Sequence, residues 1–396
     1  MLIGFTVENF RSFLGEASLS MIATSDKEHR MFNVVSAAHN DLLKNVLIYG
    51  ANASGKSNLI SALHYMQKMI VSSIDVQTEH IKTCQAFTFR EDAKDLPTKF
   101  EISFVLDDVT YDYGFDILNN QISREYLYKK SKRRTLVFER TAPEYASIRL
   151  TPDMDDVEPL KKNVRRDVLF LSWAAYANNA LAIKIVNWLS DKLVIFGVAG
   201  QKPEFAKIVG DLAKDFVRKA DNTIEELKWR PSSVLDMKTH STKDLLSTHK
   251  IYHNDWTIKQ TIDVPFDEYS SEGTKRIFEL ADAFSTALNT TSVIVIDELD
   301  LHLHPALVRY LISRINSIEH NPKNTQLICT THDVLLLDED IRRDQVWFVD
   351  KDEHSVSNLY ALSDFKDVRK NSDVLKRYLL GVYGAVPDLN RGDGDE

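Results

Sequence analysis

Val46-Leu47-Ile48-Tyr49-Gly50-Ala51-Asn52-Ala53-Ser54-Gly55-Lys56-Ser57 is an apolar run that breaks into a glycine-framed loop and closes on a lysine and a hydroxyl residue. The spacing of Gly50, Gly55, Lys56 and Ser57 is that of a P-loop. In such a loop the glycines let the backbone wrap a phosphate, and the amide N–H groups point inward where a helix begins. Lys56 is then placed to reach the β- and γ-phosphates, and Ser57 to offer its hydroxyl to Mg²⁺. The flanks agree with this reading. After the loop, Leu59, Leu63, Met66 and Ile70 recur at helical spacing, so the loop is expected to join a buried strand to a helix lying with one face on a sheet.

Working outward, the composition sets bounds. A chain of 396 residues, 43% hydrophobic and 27% charged, has room for one large or two ordinary domains with a sizeable core. A net charge of -9 argues against a protein that coats nucleic acid indiscriminately, so any such contact must be local. Two cysteines, Cys84 and Cys329, are too few and too far apart for a disulfide framework or a metal knuckle, which fits a reducing cytoplasm. The first residues lack the basic start and unbroken apolar run of a signal peptide, and no stretch of about eighteen apolar residues occurs, so no membrane contact is expected.

Upstream of the loop, residues 2–10 and 15–22 alternate as an opening hairpin placed to cover a nucleotide, and residues 25–40 read as a polar loop. Downstream, residues 86–89, 100–106, 109–118, 122–128 and 136–139 are rich in β-branched and aromatic side chains. Asp107-Asp108 and Asn119-Asn120 sit between them as turn dipeptides, so an antiparallel meander is expected. Residues 152–158 read as a linker. From Lys161 to about Ala220 the spacing of Ile183, Val186, Trp188 and Leu189, then Phe205, Ile208, Leu212 and Phe216, predicts a helical insertion without heptads. The division that follows is an N-terminal lobe 1–160, a helical or mixed insertion 161–262 and a C-terminal lobe 263–396 ending in a polar tail.

Three further stretches carry chemistry. Ser292-Val293-Ile294-Val295-Ile296-Asp297-Glu298 is a buried-strand run ending in two carboxylates, the form of a Walker B segment. Asp297 would sit in the Mg²⁺ shell and Glu298 would polarise an attacking water. Ser270-Ser271-Glu272-Gly273-Thr274 precedes an amphipathic helix, where N-cap chemistry and exposed amides can form a second anion site. Gln326-Leu327-Ile328-Cys329-Thr330-Thr331-His332-Asp333 is another strand with a polar end, whose histidine can hydrogen-bond a γ-phosphate.

In this order the chain resembles the ATP-binding-cassette ATPases of the RecF/SMC class, and more narrowly the stand-alone AAA-type ATP-binding proteins of bacterial defence systems, the RloA/AbiL type. The residues carrying the resemblance are Asn9-Phe10-Arg11-Ser12-Phe13, the P-loop followed by Asn58-Leu59, Glu272-Gly273-Thr274-Lys275-Arg276, Asp297-Glu298-Leu299-Asp300 running into Leu303-His304-Pro305, Thr330-Thr331-His332-Asp333, and the stretch from Tyr378 to Pro387. The resemblance implies an α/β ABC-ATPase head, a P-loop sheet plus an antiparallel β subdomain, using ATP and Mg²⁺. It also implies a head-to-tail homodimer, in which Ser271 and Gly273 of one subunit close on the phosphate held by Lys56 and Ser57 of the other. Asp300 becomes the D-loop aspartate, His332 the switch histidine, Gln85 the Mg²⁺-sensing glutamine, and Arg11 and Asn58 further nucleotide contacts. The signature departs from Leu-Ser-Gly-Gly-Gln at Glu272 and Thr274, and His302 stands where a small residue is usual.

The function implied is an ATP-driven switch, the sensor of an antiphage, abortive-infection type system controlling an effector, nuclease or toxin, on another polypeptide, in a dimer or a higher oligomer. The alternative is a DNA-repair or recombination ATPase. Two basic clusters, residues 129–134 and 161–166, have the charge to contact nucleic acid, although a solvated face is the simpler reading of both. No Asn-Lys-X-Asp motif supports guanine recognition.

Overall fold

The computed structural model describes residues 1–74, 84–198, 210–230, 244–338, 341–366 and 373–387. The P-loop strand Asn45–Tyr49 lies inside a six-stranded sheet, in the order Leu193–Phe196, Val293–Ile296, Gln326–Thr330, Asn45–Tyr49, Val346–Lys351, Ser357–Ala361. Neighbours are parallel except for the last pair, which is antiparallel. The strands carrying the P-loop, the two carboxylates and the histidine are buried along their whole length, as a parallel sheet covered on both faces requires.

Strand alternation decides what each face meets. Val46, Ile48, Val293, Val295 and Ile328 share one core with Leu59, Leu63, Met66 and Ile70 of the helix Lys56–Ser72. Leu47, Tyr49, Ile294, Ile296, Leu327 and Cys329 turn to the other, against the helices Glu272–Leu288 and Pro305–Asn316. The first core runs on into a seven-stranded antiparallel sheet, in the order Ile148–Leu150, Arg134–Arg140, Gln121–Lys130, Val109–Leu118, Thr98–Leu106, Leu2–Glu8, Ala17–Ser20. Both expected turn dipeptides close two-residue hairpins, and all four of their residues have positive φ, the backbone of a type I′ turn. Gln326 joins the two sheets. Its amide accepts from Leu2 N at 2.6 Å and donates to the carbonyls of Leu2 and Leu43 at 3.0 Å.

Several local expectations are corrected. Residues 25–40 are not a plain loop: they hold the short helix Arg30–Asn33 and the strand Val34–Ala37, which pairs with Asn40–Leu43. Residues 86–89 form no strand. The acidic stretch taken as a linker is the 3₁₀ segment Pro152–Asn163, anchored by buried Met154 and Val157. Helices Phe170–Tyr176, Ala180–Asp191 and Asp211–Ala220 form within the stretch expected to be helical. Between them, however, Leu193–Phe196 pairs in parallel with the Walker B strand, because its alternate side chains Leu193 and Ile195 find the P-loop core. Phe205 and Ile208 lie outside the described residues, as does the polar tail 390–396. Glu226–Trp229, Leu245–Tyr252 and Ile258–Pro265 form a three-stranded antiparallel sheet. Past His332 the described residues hold the strands Val346–Lys351 and Ser357–Ala361 and the helix Val374–Leu379.

Candidate nucleotide site

The sheet order brings three strand ends together. Asn45–Tyr49 has Gln326–Thr330 beside it, and Val293–Ile296 lies one strand further out, all running the same way. The loops at their carboxyl ends therefore share one edge, where open α/β sheets bind ligands. A cavity of about 420 Å³ opens there, lined by residues 52–58 with Glu298, His332 and Lys351.

The loop is built to hold an anion. Gly55 caps the helix Lys56–Ser72 at φ 115, and a Cβ there would come within 2.3 Å of Ser357 Oγ and 2.8 Å of Ser12 Oγ, so only glycine fits. No acidic residue occupies the first turn of this helix, and the Ser54 hydroxyl is buried without a hydrogen-bond partner, both of which suit a phosphate. Lys56, 6% exposed, donates to the carbonyls of Gly50 (2.8 Å) and Ala51 (3.0 Å). Burial lowers the pKa of its ammonium, and the carboxylates of Asp297, Glu298 and Asp300 oppose that shift. Ser57 and Asn52 are exposed to the cavity, and Asn58 donates to Ser12 Oγ at 2.8 Å.

The carboxylate side is held by Thr330. Its hydroxyl donates to Asp297 Oδ1 at 2.6 Å and accepts from Glu298 N at 2.7 Å. Glu298 is past the strand rather than on it, in left-handed backbone at φ 54, and this bend carries it to the cavity wall. Asp300 accepts from His332 N at 3.1 Å, tying the loop after the carboxylates to the histidine. The imidazole of His332 is exposed in the cavity, and partial burial and the Lys56 ammonium hold its pKa below the usual value, against the opposing pull of Asp300, Glu298 and Asp297.

The donor set fits Mg²⁺: a hydroxyl from Ser57, a carboxylate from Asp297, and phosphate oxygens. This ion keeps several waters and takes one or two carboxylates beside phosphates. Among the described residues no group of three His, Cys, Asp or Glu side chains forms an all-protein metal cage, and such a site needs none.

Other candidates stand apart. Ser271 caps the helix Glu272–Leu288, accepting from Thr274 N at 3.1 Å, and is exposed outside the P-loop cavity. A Cβ on Gly273 would come within 2.6 Å of the His302 carbonyl, so the signature turn and the D-loop of one chain press together. Gln85 is exposed on a different cavity with Phe87, Arg90 and Lys94, and its carbonyl accepts from Arg11 N at 2.7 Å. Arg11 is itself exposed, at φ 49, beside the Ser12 that touches the P-loop.

Sequence reasoning missed Thr330, Ser12, Ser357 and Lys351 as parts of the site. A threonine at the end of the strand next to Walker B could have been found; Ser357 and Lys351 belong to no motif.

A family model described as "AAA domain, putative AbiEii toxin, Type IV TA system" matches residues 46–338, from the P-loop strand to beyond His332. Among solved structures, the chain is similar to the SMC head domain from Thermotoga maritima, with 14% identity over 91% of this chain and 98% of that one and a TM-score of 0.41. It is also similar to an SMC head bound to the C-winged helix domain of ScpA, with 15% identity, 91% and 97% covered, and a TM-score of 0.42. No curated protein matches the sequence.

Proposed function

The chain belongs to the AAA-domain family described as "putative AbiEii toxin, Type IV TA system", and from that premise we propose that it is an ATP-hydrolysing molecular switch. In this reading it is the sensor of an antiphage, abortive-infection type system and controls a separate effector. The observation that carries the ATPase reading is the meeting of Lys56, Glu298 and His332 at one cavity, with Asp297 and Glu298 fixed by a single hydroxyl. Lys56 and the loop amides hold the phosphate chain, Glu298 polarises the attacking water, and His332 hydrogen-bonds the terminal phosphate. Mg²⁺, when bound by Ser57 and Asp297, offsets the charge on the phosphates.

In this reading the site is shared between two chains, since Ser271 and Gly273 lie outside the cavity of their own chain. A second copy, apposed head to tail, supplies them. Part of the charge of the basic clusters is met within the chain, since Lys129 pairs with Asp153, Arg134 with Asp112, Arg165 with Asp167 and Arg166 with Glu144, and a solvated face stays the simpler reading of both. Among the described residues no helix is long and apolar enough to cross a membrane.

The test is ATP turnover with Mg²⁺. Lys56→Ala should lose binding or turnover, while Glu298→Gln should keep binding and slow turnover by about 10²-fold or more. An unchanged rate in Glu298→Gln contradicts the assignment. The purified chain, assayed with ATP, Mg²⁺, DNA and RNA, should cleave neither nucleic acid; cleavage that disappears in Lys56→Ala refutes an effector in trans.

A further inference from the structure

We propose that Lys351 is a second cationic contact for the phosphate chain of the nucleotide, on the side of the P-loop away from the Walker B carboxylates. The inference rests on the reading of the P-loop cavity as an ATP site. The strand Val346–Lys351 lies beside the P-loop strand with Phe348 opposite Tyr49, so its last residues run on past Gly50 along the loop. It occupies the flank opposite to Gln326–Thr330 and Val293–Ile296. There Lys351 pairs with Ser357, and Ser357 is bolted to the loop: its hydroxyl donates to the Ser54 carbonyl at 2.5 Å and its N–H to the Ser12 carbonyl at 2.7 Å. Lys351 is thus held at a fixed place on the cavity wall, half-buried.

Charge gives it a task. On this wall, Lys56 faces Asp297, Glu298 and Asp300 and donates to two loop carbonyls, and His332 is an imidazole whose pKa is held below the usual value. Lys351 is different. Among the described residues its ammonium has neither an ion pair nor a hydrogen bond, although its backbone N–H donates to Asp350 Oδ1 at 2.9 Å. A polyphosphate is strongly anionic, and an ammonium on a strand fixed to the loop is the uncommitted charge available to meet it.

The experiment measures MgATP affinity by calorimetry at low and at high salt for the wild type, Lys351→Ala and Lys351→Arg. Lys351→Ala should bind about tenfold more weakly at low salt. The difference should shrink at 1 M salt, and Lys351→Arg should stay within about threefold of the wild type. Nucleotide-free Lys351→Ala should melt like the wild type, because the side chain holds no described residue. Equal affinities at low salt overturn the assignment and leave the ATP site standing. A loss in the alanine variant that arginine does not restore overturns charge as its cause. Failure of the wild type to bind MgATP at all overturns the reading beneath it, and the assignment with it.

Discussion

Thr330 sits in the interior of a strand end, yet it governs both Walker B positions, because its single hydroxyl faces Asp297 Oδ1 on one side and Glu298 N on the other. Valine has nearly the same shape and neither capability. Thr330→Val would leave two polar groups unpaired at a buried place, costing about 1–3 kcal/mol of stability. It should also lower kcat at least tenfold with little change in MgATP affinity, while Thr330→Ser recovers most of the rate; a Thr330→Val enzyme with normal kcat would show that the hydroxyl does not position Glu298. Lys56, Ser57, Asp297, Glu298 and His332 are legible from sequence because each motif packs its chemistry into a few consecutive residues. Thr330 lies inside such a motif, but its role depends on which strand is its neighbour. Lys351 and Ser357 follow the P-loop by some three hundred residues, and only sheet order delivers them.

At the scale of elements, the antiparallel sheet is tied to the helix Phe170–Tyr176 by one carboxylate. Glu125, fully buried, accepts from Phe170 N at 2.6 Å, Leu171 N at 2.9 Å and Tyr113 OH at 2.9 Å. Burial raises its pKa, and the nearby Arg140 guanidinium opposes that rise. Glu125→Gln keeps the shape but offers one acceptor where two are used, setting an N–H against a donor. Its expected cost is about 3–5 kcal/mol, the range for breaking a buried charged network, read from urea unfolding. A midpoint equal to that of the wild type would mean the helix is held by apolar packing alone. Elements of this kind were read unevenly. The meander was clear because Asp107-Asp108 and Asn119-Asn120 punctuate long alternating strands. Leu193–Phe196 was hidden because a four-residue apolar run flanked by helical spacing does not reveal its period. Ile258–Pro265 is exposed along nearly its whole length, so it has no burial pattern to read.

For the whole molecule, the strand order places the P-loop, carboxylates and histidine on one edge and leaves the signature serine elsewhere. Under the proposed function, that separation would make pairing of two chains part of the chemistry. In that reading the approach of Gly273 to the His302 carbonyl, and the hydrogen bond from His332 N to Asp300, would join each chain's signature to its own switch, so that closure at one site would bear on the other. ATP-driven pairing also supplies the two states that an effector would distinguish, provided it binds them with different affinity. The most direct measurement is the solution mass of Glu298→Gln with saturating MgATP, with MgADP, and of Glu298→Gln/Ser271→Arg with MgATP. The account predicts a dimer for the first and monomers for the other two; the same mass in all three would contradict a site shared between two chains.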